Sequence, residues 1–134
     1  MNKICTSIEQ SKKLIELGID ANTADMTYRP IMDIDSMSNV GFLNIPECYP
    51  FNEFKDCNIK PLPAWSLSSL LDMLDYEVVD AEGESCYLKI DKDDIEYQIR
   101  YEDRWNSGIE TKWYDNSFDA AFEMVCRLKE NNLL

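Results

Sequence analysis

Three serines and an acid stand together in PLPAWSLSSLLDML, residues 61–74, and a serine beside an acid is raw material for a nucleophilic hydrolase. A serine hydroxyl becomes a nucleophile only when a base takes its proton, usually a histidine. The chain contains no histidine. A Ser–Lys pair would evade that requirement, but the nearest lysine in sequence, Lys60, lies outside the segment. The serines have a structural use instead. Leu67, Leu70, Leu71 and Leu74 recur at i, i+3, i+4 and i+7, the apolar stripe of a helix. Ser66 precedes the stripe and reads as its N-cap, its hydroxyl accepting the N–H of Ser68 or Ser69. Trp65 and Leu70 occupy the two positions of a hydrophobic staple, and Pro63 favours an extended entry into the cap.

Carboxylates are the next candidates. From Asp72 to Glu96 there are ten acids against Lys89 and Lys92, a net of −8. Acid–base enzymes need two carboxylates in different environments within a cleft. Most of these acids fall in predicted turns or on polar strand positions, where solvation is the default. The stretch DIDSMSNVGFLN, residues 33–44, opens like a calcium-binding loop but fails as one. It has Met37 at its fifth position, Ser38 where glycine is required and Asn44 where a bidentate Glu is required. The five cysteines, Cys5, Cys48, Cys57, Cys86 and Cys126, include no C-x-x-C pair and have no histidine to complete a zinc set. Cys86 and Cys126 sit on or beside apolar faces and read as core; Cys48 and Cys57 lie in an irregular region. With four glycines in all and no phosphate-binding loop, no metal or cofactor is expected. A carboxylate-dependent, metal-assisted enzyme is kept as the alternative to a non-enzymatic protein.

Charge narrows the partners. Thirteen bases against twenty-six acids leave a net charge of −13. That excludes direct binding to nucleic-acid backbone, which needs clustered Lys and Arg, and disfavours anionic membrane surfaces. An acidic surface keeps a protein in solution. A sharper use is for the acidic segment Asp72 to Glu96 to copy nucleic-acid charge and occupy a basic protein, with Asp91, Asp93 and Asp94 as the residues whose neutralisation tests it. The aromatic candidates are Trp105, beside Arg104 in EDRWNSG, and Tyr49, Phe51 and Phe54. Trp, Tyr and Arg are the usual interface anchors. A protein partner is therefore expected, of unspecified identity and basic in the charge-mimic version. The N-terminal residues show no secretory pattern and nowhere do eighteen apolar residues run together. The expected compartment is the cytoplasm.

The elements that must carry these residues read as one α+β domain over residues 1–134. A helix spans Thr6 to Leu17, capped by Thr6 with Glu9 or Ser7 with Gln10 and ended at Gly18. A short strand runs from Ala24 to Tyr28, with Pro30 limiting its extension. Residues 31–60 form an irregular insertion with a hairpin around Ser36 to Gly41. The serine-capped helix follows. Alternating runs at Cys86–Ile90, Ile95–Tyr101 and Ile109–Trp113, with EVVD before them, make an antiparallel meander of three to five strands. The four residues DKDD, 91–94, close its hairpin. A last helix carries Phe118, Ala121, Phe122, Val125 and Leu128, capped by Asn116 or Ser117. About three helices pack on one sheet face.

The blocks TSIEQSKKLIELGIDANTADM, PAWSLSSLLDML and DNSFDAAFEMVCRLKEN together resemble segments of a group of small uncharacterised proteins of gut anaerobic bacteria, often encoded in phages or mobile elements. The resemblance covers about half the chain and leaves Arg29 to Lys60 unmatched. It implies a bacterial cytoplasmic setting and a mobile-element accessory role, and it transfers no catalytic residue. The leading expectation is a small acidic protein that acts by protein–protein contact.

Overall fold

The computed structural model describes residues 3–54, 56–104 and 108–134. The fold is α+β, with three α-helices and two three-stranded antiparallel sheets among the described residues. The chain divides into two compact units, residues 1–69 and 70–134, each with its own sheet.

In the first unit, α1 (Ile8–Glu16) begins at a reciprocal cap. The Ser7 hydroxyl accepts the Gln10 N–H at 3.1 Å, and the Gln10 side chain accepts the Ser7 N–H at 3.0 Å. Two of the donors that a helix start leaves free are thereby satisfied. The helix ends at Gly18, whose φ of +87° lets the Ile19 N–H reach back to the Leu14 carbonyl at 3.0 Å.

The sheet of this unit has the order β2–β1–β3, with β1 at Met26–Met32, β2 at Asn39–Glu47 and β3 at Leu62–Ala64. Strand β1 runs through Pro30 rather than stopping before it. Proline has no N–H for the ladder, and the β1–β2 register shifts between Tyr28 and Pro30. An irregularity absorbs the missing donor and the strand continues. The turn of this hairpin is Asp33–Ser38, earlier than Ser36–Gly41. The Asp33 N–H donates to the Ser38 carbonyl at 2.9 Å, and the Asp33 carboxylate accepts the Ser36 hydroxyl at 2.7 Å. Gly41 therefore lies inside β2.

The core of this unit gathers Cys5, Met26, Tyr28, Leu62 and Ala64, with Ile8 and Phe42 packed against it. Beside it is a buried polar knot. The Thr6 N–H donates to the Trp65 carbonyl at 2.9 Å, and the Trp65 N–H donates to the Thr6 hydroxyl at 3.0 Å. The Tyr28 hydroxyl donates to the Thr6 carbonyl at 2.7 Å, and the hydroxyls of Thr6 and Ser11 bond each other at 2.7 Å. The indole N–H of Trp65, fully buried, donates to Thr23 at 2.9 Å.

Helix α2 (Leu67–Asp72) starts at Ser66, whose hydroxyl accepts the Ser69 N–H at 3.2 Å. The Asp25 carboxylate fixes that cap, accepting both the Ser66 N–H at 2.9 Å and its hydroxyl.

The second unit is built on β4 (Glu77–Val79), β5 (Ser85–Lys92) and β6 (Tyr97–Glu102), in sequence order. Strand β5 includes Asp91 and Lys92, so the tight turn is Asp93–Glu96 rather than residues 91–94. Residues 109–114 run beside β6 without forming a regular strand. Arg100 bridges Glu110 and Tyr97 bridges Tyr114, so one residue of the segment is extra. The Thr111 hydroxyl fills the gap by accepting the Ile99 N–H at 3.1 Å. The same irregularity turns Trp113 out, 43% exposed, where alternation had placed it inward. Gly108 begins this segment because nothing larger fits: a Cβ there would lie 2.0 Å from the Tyr101 carbonyl oxygen. Helix α3 (Ser117–Glu130) packs on β6 and buries Phe118, Ala121, Met124, Val125 and Leu128. Its cap is Asn116, which accepts the Asp119 N–H at 2.7 Å. Tyr101 is buried under the sheet, its hydroxyl bonded to the Asp75 carbonyl; burial and the nearby Asp75 charge push its phenol up to about 12.

Replacing Thr6 by Val keeps the shape of the knot and removes its hydroxyl. The buried Trp65 N–H then loses its acceptor, a loss of roughly 1–3 kcal/mol. Thr6→Ser should lose less than Thr6→Val. Urea denaturation of the three proteins measures the difference, and equal midpoints would contradict the knot's role.

Candidate protein-interaction surface

The candidate interaction residues fall in both units. Tyr49 and Phe51 belong to the first unit, whereas Arg104 and the aspartates Asp91, Asp93 and Asp94 belong to the second. Trp105 lies outside the described residues.

The three aspartates have different surroundings. Asp91 accepts an ion-paired hydrogen bond from Arg100, which also reaches Glu102 at 2.6 Å. The hydrogen bond to Asp91 and the two nearby carboxylates hold the Arg100 guanidinium above its ordinary value. Asp93 caps its own turn, accepting the N–H groups of Ile95 at 2.9 Å and Glu96 at 2.7 Å. Those bonds hold its carboxyl below the usual range. Asp94 is simply exposed. Around Arg100, the outer face of β5 and β6 alternates sign: Lys89 and Arg100 stand among Asp91 and Glu102. It is not a continuous negative surface.

Arg104 is exposed, lies 3.7 Å from Glu84 and borders a shallow depression with Tyr76 and Tyr87. The two tyrosine rings stack at a tilt, with centroids 5.6 Å apart.

The first unit is different. Tyr49 and Phe54 meet edge to face at 6.5 Å and line a groove of about 540 Å³. Its other walls are Thr27 and Pro30 of β1 with Ile59 and Pro61, and its rim carries Arg29, Glu47, Glu53 and Cys57. Arg29 holds Glu47 through two bonds of 3.1 Å. Phe51 is not part of the lining; it packs under the Lys60 ammonium at 5.8 Å.

The feature that sequence reading missed is the open edge of the β1–β2 hairpin beside this groove. Strand β2 is an edge strand of nine residues, and no strand pairs with its outer side among the described residues. The stretch from Ser36 to Pro46 carries no charge in a chain that is 29% charged. Ile34, Met37, Val40 and Ile45 are each more than 60% exposed, and Ile31 and Leu43 are about 40% exposed. Leu43 and Ile45 share a face with Arg29, Ile31 and Glu47. The uncharged run was legible in the sequence; its place on an open edge was not.

The cysteines are free thiols, with Cys48 and Cys57 exposed. Burial pushes the Cys5 and Cys86 thiols up, which makes them poor nucleophiles. Among the described residues no three Cys, Asp or Glu side chains gather to hold a metal ion. No helix of the described residues is long and apolar enough to cross a membrane. Comparison with protein-family models, with curated proteins and with solved structures gives no match.

The depressed Asp93 carboxyl gives that residue a pH signature. A carboxyl depressed in the folded state stabilises above its unfolded value, about 3.9 for Asp, and that contribution is lost as pH falls through the folded value. Wild type should therefore exceed Asp93→Ala in melting temperature at neutral pH, with part of the gap closing at acid pH. Asp94→Asn should match wild type at neutral pH. A pH series of thermal melts checks this, and a gap of constant size across the series would contradict it.

Proposed function

We propose that this protein acts by protein–protein contact, docking an extended segment of its partner along the open edge of β2. The carrying observation is the uncharged, apolar edge itself. Proteins usually blunt such edges with charges, with prolines or with short strands, because unpaired N–H and C=O groups recruit another chain. Here Pro46 comes only near the end of the strand, and Asn39–Ile45 carries no charge. A partner strand added there gains main-chain hydrogen bonds, and the exposed Leu43 and Ile45 supply apolar contact. The resemblance in sequence fits a setting in a bacterial cytoplasm, as an accessory protein of a phage or mobile element.

The distribution of charge supports a basic partner. Residues 70–134 hold seventeen acids against seven bases, a net of −10, and residues 1–69 hold nine against six, a net of −3. Such a field speeds encounter with a cationic protein, while the near-neutral unit holds the apolar edge. A second reading, mimicry of nucleic-acid charge by the acidic unit, draws on the same numbers. The pairing of Asp91 with Arg100 and the use of Asp93 inside a turn weigh against it.

The two separate in a pull-down of tagged protein from bacterial lysate. Ile45 is 69% exposed, so Ile45→Lys should leave the melting temperature unchanged. Docking at β2 predicts that Ile45→Lys retains partner roughly tenfold less well, the scale of ~1.4 kcal/mol of lost contact. Charge mimicry predicts instead that Ile45→Lys retains partner normally and that Asp91→Asn, Asp93→Asn and Asp94→Asn combined release it.

A further inference from the structure

Thr27, Arg29 and Glu47, on the hairpin face that carries Leu43 and Ile45, help to line the groove of Tyr49 and Phe54, so the groove opens beside the Glu47 end of β2. We infer that this groove takes a lysine or arginine side chain of the docked segment; the inference rests on the docking proposal above. Three observations choose that chemistry.

The walls suit a long aliphatic stem. Phe54, Ile59 and Pro61 offer apolar surface, and Lys and Arg bury their methylenes on such surface while the charged head stays at the rim. The rim suits the head. It carries two carboxylates, Glu47 and Glu53, against the single guanidinium of Arg29. Arg29 is already committed to Glu47, and Glu53 is exposed with no ion pair among the described residues. A cation entering here meets a free carboxylate, whereas an anion would meet an excess of negative charge in a chain of net −13. The aromatics suit the same head. Tyr49 is 52% exposed in its edge-to-face pair with Phe54, which leaves ring surface open to a cation. Lys60 over Phe51, at 5.8 Å, shows the chain packing an ammonium on a ring in the same segment. A purely apolar side chain would cover Glu53 without compensating it.

The experiment is selection of a displayed library of random peptides against the full chain. Enriched peptides should alternate apolar residues and carry Lys or Arg at one fixed position. Glu53→Gln should weaken the best such peptide about tenfold, and replacing its basic residue by glutamine should do the same. In a Cys48→Ser background, the peptide should also slow maleimide labelling of Cys57 on the groove rim. Ile45→Lys should weaken all enriched peptides roughly tenfold as well. Apolar peptides without a fixed basic residue, weakened by Ile45→Lys but unchanged by Glu53→Gln, would overturn the groove inference and leave edge docking standing. Enriched peptides insensitive to Ile45→Lys, or no enrichment at all, would overturn both.

Discussion

Residues 1–69 depend on the buried exchange between Thr6 and Trp65. Two backbone segments far apart in sequence meet there, at Thr6 before α1 and at Trp65 after β3. Thr6 and Trp65 are fully buried there, so their polar groups must find partners within the protein. Thr6 serves four of them: it bonds the Trp65 N–H, the Trp65 carbonyl, the Tyr28 hydroxyl and the Ser11 hydroxyl. Tyr28 lies in β1, so the same knot pins the central strand of the sheet. No buried side-chain nitrogen or oxygen among the described residues lacks a partner. That economy holds β1 in place, and β1 in turn presents β2.

Local chemistry was the legible part of the sequence. The caps at Ser7, Ser66 and Asn116 could be read because a side-chain acceptor at a helix start answers a need that exists in any fold. The apolar stripe of α3 could be read for the same reason, since a helix keeps its period wherever it packs. The hairpins were seen, but their turns were displaced. DKDD looks like a loop because it is polar, yet Asp91 pairs with Arg100 and Lys92 stands over the ring of Tyr97, so both remain in the strand. Pro30 looks like a strand end, and a register shift carries the strand past it. Trp113 looks inward by alternation, and one extra residue turns it outward. Each displacement is a matter of register. Register depends on what lies across the sheet, which a single sequence does not display.

The candidate surface shows the same limit. Aromatic residues drew attention to Tyr49, Phe51 and Phe54, and the groove does gather Tyr49 and Phe54. Acidic residues drew attention to Asp91, Asp93 and Asp94, of which the first two have structural duties. The uncharged stretch from Ser36 to Pro46 drew attention only as a failed calcium loop and a hairpin, because a run of Asn, Ser, Gly and scattered aliphatics does not announce a binding surface. Only the strand order, with β2 outermost, gives the run its meaning. An edge that would be a liability in an ordinary protein becomes, on this account, the working surface. The acidic half then supplies long-range attraction and solubility, two effects that need charge but no particular arrangement of it.

The most direct measurement is amide hydrogen exchange across the whole chain, free and with the partner recovered by pull-down. Docking on the open edge predicts that partner binding slows exchange chiefly within Asn39–Glu47, with residues 70–134 little changed. Slowing concentrated in residues 70–134, with β2 exchanging as fast as in the free protein, would contradict the account.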